Sequence, residues 1–150
     1  ESAGKLDRGG ARLGRWVRRD PLIPRANYRR GRAQAGAGRP LEAREAYLAE
    51  LEHHGYDRAL YRAGETLIEL GRTDEVDRLL RETAPGQLRE SPRLHYLRGS
   101  VAMEAGLREE ALSEFRQAVQ LDPTYTRAQG ALNELLASLA ATQTEAAAAR

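Results

Sequence analysis

The chain has 150 residues, of which 41% are hydrophobic, 5% aromatic and 31% charged, with 14 glycines and no cysteine. This length has room for one compact domain or a short repeat array, and a large multidomain enzyme is excluded. The net charge of +2 conceals a division, because residues 1–40 hold eleven arginines or lysines against three acids and residues 41–150 hold 13 against 19.

So few aromatics suit a thin core of alanine and leucine rather than a sandwich or barrel. The missing cysteines remove disulfides, thiolate metal sites and cysteine nucleophiles together. All the basic residues except Lys5 are arginine, which reads more as GC-rich coding than as chemistry. No run approaches the ~18 apolar residues of a membrane span. The opening Glu1-Ser2-Ala3-Gly4-Lys5 has neither an initiator methionine nor the apolar stretch of a signal peptide. The expectation is a segment of a longer, cytoplasmic or periplasmic chain.

Glycine supplies the ruler for internal repetition. Gly31, Gly64 and Gly99 stand 33 and 35 residues apart, and Gly38, Gly71 and Gly106 repeat those intervals seven residues later. In chain order, a first helix around Gly31 should stop at Gly38, where a left-handed cap conformation is cheap only for glycine. A second helix carrying Ala43 and Tyr47 follows. The next pair begins with Ala59, Leu60, Ala63, Leu67 and Leu70, which lie three or four apart as one helical face requires, stops at Gly71, and resumes with Val76, Leu79 and Leu80. Ser91 before Pro92 is a good start for the third pair, since serine caps free amides and proline fits a first turn. Each unit therefore reads as helix, tight turn, helix. Glycine inside a helix costs about 1 kcal/mol against alanine, so its return at 31, 64 and 99 predicts close approach of the second helix, with Ala43, Val76 and Ala111 facing it.

These residues resemble the tetratricopeptide repeat, whose helical hairpins of about 34 residues stack into a superhelix. The best match is Pro92 to Tyr125, where Gly99, Ala102, Gly106, Ala111, Phe115, Ala118 and Asp122-Pro123 stand at signature sites, and His95 and Arg98 replace large apolar residues. The resemblance implies an all-α fold, an α-α superhelix or solenoid of hairpins over 24–56, 57–91 and 92–125, with a C-terminal capping helix over 126–140 and a frayed tail over 141–150. Residues 57–91 are irregular, with Val76 and Thr83 at small-residue sites and Ala84-Pro85-Gly86 near the end. In 24–56, Arg30 and Glu50 occupy sites that are usually apolar or small. Aligning Asp20-Pro21 with Asp122-Pro123 makes residues 1–23 a partial upstream hairpin or basic helix.

Catalysis has little to stand on. His53 and His54 are adjacent, and helical neighbours point about 100° apart, so they do not grip one metal together. His95 reads as a packed structural imidazole. Glu42 with Glu45 and Glu109 with Glu110 fall near helix starts, where acids favour the dipole. Gly31 to Gly36 has phosphate-loop spacing, but Ala37-Gly38 stands where Lys-Ser/Thr is required. The expectation is no enzyme, no metal and no cofactor.

In the resembled family the first helices line a groove. That frame assigns peptide binding to Arg25, Tyr28, Arg29 and Arg32, then Arg58, Tyr61, Arg62 and Glu65, then Arg93, Tyr96, Ser100 and Met103, with Arg127 in the cap. Repeated arginine and tyrosine suit an extended acidic peptide, since guanidinium forks take carboxylates and tyrosine offers rigid area with a hydroxyl. The family's carboxylate-clamp pattern is not reproduced, because Arg62 replaces an asparagine and Leu97 a basic residue. The resemblance therefore implies a non-catalytic scaffold for a protein or peptide. One alternative is an appendage of a larger enzyme lying upstream. The rival from another class is nucleic-acid binding through Arg8, Arg12, Arg15, Arg18 and Arg19 around Trp16, opposed by the acidic remainder. Leu13, Trp16 and Val17 are also candidates for a homodimer contact through the N-terminal helix.

Overall fold

The computed structural model describes residues 25–54, 57–83 and 88–150, and those residues contain α-helices and turns with no strand. The basic N-terminal segment with its expected dimer contact, and Ala84-Pro85-Gly86, lie outside the described residues. The chain forms two compact units, residues 1–87 and 88–150.

In the first unit the helices are α1 (Ala26–Gly36), α2 (Pro40–His54), α3 (Asp57–Glu69) and α4 (Thr73–Glu82), each packed against the next. Gly38 and Gly71 end α1 and the turn after α3 at φ of 73° and 72°, as the spacing predicts. The backbone explains why a left-handed residue is needed there. The Gly38 N–H donates to the Ala35 carbonyl at 3.1 Å and the Arg39 N–H reaches back to Gln34 at 2.9 Å, while Gly71 to Ile68 and Arg72 to Leu67 repeat the pattern. Paired bonds of this kind satisfy carbonyls that a helix end leaves open.

Ala43, Tyr47 and Ala63 form the centre of this unit, with Tyr28 and Leu48 packed around them. Gly31 is small because a ring lies on it. A methyl group at Gly31 would sit 2.5 Å from Cε1 of Tyr47. Ala43 is buried in the same core, and the atoms nearest to Gly31 belong to the ring one turn further along α2. Across the unit, Arg44 of α2 pairs with Glu75 of α4, and Arg72 lies 3.6 Å from the same carboxylate.

The start of α1 is built differently from the others. Arg25 adopts a left-handed φ of 64°, and its N–H donates to Oε1 of Glu50 at 2.7 Å. Glu50 is fully buried on α2, so a carboxylate at a site expected to be small serves the N-terminal flank of α1.

The second unit contains α5 (Pro92–Glu104), α6 (Arg108–Leu121) and α7 (Thr126–Ala148). Ser91 caps α5, its Oγ accepting from the Leu94 N–H at 3.1 Å with Pro92 in the first turn. Gly106 closes the helix at φ of 77° with the same bonds, from Gly106 to Met103 and from Leu107 to Ala102. The core joins Leu94, Leu97, Ala111, Phe115, Ala118, Ala128 and Leu135. Phe115 repeats the role of Tyr47, since a methyl group at Gly99 would lie 2.5 Å from its Cε1. Asp122 turns the chain into α7 by accepting from the Thr124 N–H at 3.0 Å and the Thr124 hydroxyl at 2.6 Å. These bonds, first the hydroxyl and then the amide, hold the Asp122 carboxyl below its ordinary range. The last helix does not stop at residue 140. It continues to Ala148, because Thr142 and Thr144 return their hydroxyls to the Ser138 and Ala140 carbonyls and the alanine run that follows is the best helix former.

Candidate interaction surface

On the first unit, α1 and α3 carry the sequence-predicted groove residues. Arg25, Arg29, Arg32 and Arg58 are exposed, Tyr28 and Arg62 are half-buried, and Tyr61 and Glu65 are buried at 4% and 3% exposure. Tyr28 lies against Tyr47 with ring centroids 5.8 Å apart and planes tilted by 48°. The Tyr47 hydroxyl reports which of these groups converge. Burial pushes its pKa up to about 12, Arg62 and Arg32 pull it down, and Tyr28 and Glu65 push it up. Charges from α1 (Arg32) and α3 (Arg62 and the buried Glu65) are thus all felt at the Tyr47 hydroxyl. Tyr61 does not add a freely presented ring, since it is part of the packing.

On the second unit, Tyr96 is buried at 8% exposure and packs on two rings, Phe115 at 6.1 Å and Tyr125 edge-on at 5.6 Å. The Arg93 guanidinium lies over the Tyr125 ring, 5.8 Å from its centroid, a cation held on an aromatic face. The Ser100 hydroxyl donates to the Tyr96 carbonyl of its own helix at 2.9 Å. Met103 is 38% exposed, and Arg127 is half-buried on α7. Tyr28 with Tyr47 and Tyr96 with Phe115 are the same pair at the same separation in two hairpins, and that equivalence is visible only once the rings are placed.

Among the described residues, no group of three or more histidine, cysteine or acidic side chains is arranged to hold a metal ion. Glu42, Glu109 and Glu110 occupy exposed first turns. None of the described helices is long and apolar enough to cross a membrane. Two roles escaped sequence reasoning: Glu50 as the flank of α1, and His95 as a bridge between Glu90 and Glu114. The available signal was the same for both, a polar residue at a site where the repeat calls for an apolar or small one.

The class that these features define is the helical-repeat protein. Residues 92–125 match the family model of the tetratricopeptide repeat. Among solved structures, residues 41 to the end of MamA from Desulfovibrio magneticus RS-1 superpose with a TM-score of 0.71 at 22% identity, covering 95% of this chain and 81% of that one. YrrB, described as a TPR protein with an unusual peptide-binding site, gives a TM-score of 0.68 at 21% identity, covering 91% of this chain and 71% of its own. A comparison with curated proteins gives no match. The fold is the all-α fold of tetratricopeptide-repeat proteins, one that generally serves as a protein-interaction scaffold.

Proposed function

We propose that the chain is a non-catalytic docking scaffold that receives an extended, acidic segment of a partner protein on the α1 and α3 face of its first unit. The observation that carries this reading is the packed Tyr28 and Tyr47 pair, together with the charges of Arg62 and Arg32 felt at the Tyr47 hydroxyl. The aromatic pair supplies a rigid floor, and the two guanidiniums supply paired donors for a carboxylate. Because the floor is already packed into the hairpin, little side-chain freedom is lost on binding. On the second unit, Arg93 over the Tyr125 ring repeats the pairing of a guanidinium with an aromatic face.

The test is selection of peptides from a displayed random library on the full chain, followed by titration of the selected sequences. Acid-rich peptides should be enriched, and Arg32→Ala with Arg62→Ala should weaken their binding while helical circular dichroism is unchanged. Enrichment without acidic residues, or binding that the double substitution leaves intact, would refute the assignment. These arginines are better probes than Tyr61, whose truncation would disturb the core.

A further inference from the structure

His95 is 8% exposed and lies in α5, yet both ring nitrogens face carboxylates. Nδ1 is 2.6 Å from Oε2 of Glu114 on α6, and Nε2 is 2.6 Å from Oε2 of Glu90, the residue before the helix cap. A neutral imidazole has one N–H and one lone pair, so it can donate to only one of the two; the charged ring donates to both. Both contacts are hydrogen bonds only when the ring carries both protons.

The surrounding charges favour one order of release. Glu90 is 71% exposed and Glu114 is 29% exposed, so water readily replaces the ring as a partner for Glu90 and less readily for Glu114. Arg98, one turn along α5, lies 3.7 Å from the other Glu90 oxygen and faces it rather than the ring. Arg93 of the same helix is committed to the Tyr125 ring. The other charged residues of α6, namely Arg108, Glu109, Glu110 and Arg116, are exposed, as are Glu134 and Glu145 of α7, and Arg127 of α7 is half-buried.

We infer that His95, Glu90 and Glu114 form a proton-operated clasp on the second unit. With both ring protons present, the imidazolium ties the residue preceding Ser91 to the α5–α6 hairpin. When Nε2 gives its proton to water, the Nδ1–H bond to Glu114 remains, Glu90 faces a lone pair instead of a donor and keeps only its contact with Arg98, and the segment before the Ser91 cap is loosened. The device regulates the flank of a helix by pH.

The experiment is nitrogen-15 spectroscopy of the imidazole in the full chain from pH 5 to 9, with His95→Gln used to separate this ring from His53 and His54. The expected result is two ring N–H signals at low pH and the Nδ1–H tautomer alone at high pH, with the amide protection factor near Glu90, corrected for the intrinsic pH dependence of exchange, falling several-fold across the change while that of Ala111 holds. A single neutral tautomer throughout would overturn the clasp. Should His95→Gln fail to fold, Glu90→Gln serves, because its side chain is largely in solvent. That variant should narrow the pH range in which both ring N–H signals are seen, and an unchanged range would equally overturn the proposal.

Discussion

Gly99→Ala sets two known effects against each other. Alanine gains about 1 kcal/mol over glycine in a helix interior. Its methyl, however, would lie 2.5 and 2.6 Å from two carbons of the Phe115 ring. Carbon atoms pack at about 3.5–4.0 Å, so the ring must retreat by about 1 Å. Phe115 is 2% exposed and held against Tyr96, so it has little space to retreat into. Overpacking of this kind costs about 1–3 kcal/mol, which leaves a net loss of about 1 kcal/mol after the helix gain is subtracted. Gly130, in α7, is the control, since nothing lies within 4 Å of the added methyl. Gly130→Ala should therefore stabilise by up to about 1 kcal/mol. Thermal unfolding followed by circular dichroism resolves these values, because 1 kcal/mol moves the midpoint of a unit of this size by roughly 4–8 °C. Phe115→Leu in the Gly99→Ala background should relieve part of the penalty, a coupling that a double-mutant cycle reads directly. If Gly99→Ala proves as stabilising as Gly130→Ala, the contact between ring and glycine is not what selects the residue.

Three further substitutions test other parts of the structure. Ser91→Ala removes the acceptor of the Leu94 N–H and should cost about 1 kcal/mol, measured by urea unfolding. Leu135→Ala empties a site on α7 that is 2% exposed and should cost about 2–5 kcal/mol in the same assay, whereas Leu136→Ala, at 39% exposure, should cost far less. The Tyr47 phenol rises from 10.0 to about 12 on folding, chiefly through burial. A raised value means that its contribution is complete below pH 10 and is lost as the pH climbs from 10 to about 12. The loss is on the order of 2–3 kcal/mol at 1.36 kcal/mol per unit, so Tyr47→Phe should flatten alkaline unfolding in that window, and identical curves for the two proteins would refute the burial argument.

The helix ends were the most legible part of the chain. Gly38, Gly71 and Gly106 all take the left-handed conformation that their spacing foretold, because a cap depends on one residue's backbone freedom. Ser91 and Pro92 were legible for the same local reason. Contacts between helices were less so. The period points to Ala43 and Ala111 as residues facing the helical glycines, and both are buried, but the atoms nearest to those glycines belong to Tyr47 and Phe115, whose reach depends on ring shape rather than on period. The candidate surface was legible as a set of positions and not as a set of exposures. Tyr61 and Tyr96 fall in the groove register, yet both are buried, and Tyr96, which faces Phe115 and Tyr125, gains more from that packing than from presenting its ring to water. Glu50 and His95 broke the repeat pattern, but their partners, the Arg25 amide and two carboxylates, are tertiary contacts that no periodicity encodes.

The scarcity of aromatic residues explains why these contacts matter. Alanine-lined helices pack closely but with little area per residue, so each ring fills a disproportionate share of the core. Tyr28 with Tyr47, and Tyr96 with Phe115 and Tyr125, use five of the eight aromatics in the chain. Each set joins the first helix of a hairpin to its second, across the glycine that admits the ring. The residues that hold a hairpin shut are therefore the floor beneath its outward-facing arginines. For the proposed docking role, guanidiniums beside a packed aromatic floor would favour discrimination by charge over discrimination by shape, because flexible cationic side chains adjust to a carboxylate more readily than packed rings do. On the proposed role, substitution of Arg32 or Arg62 should therefore alter binding at little cost to stability, whereas substitution of Tyr47, which is 1% exposed, should cost stability as well.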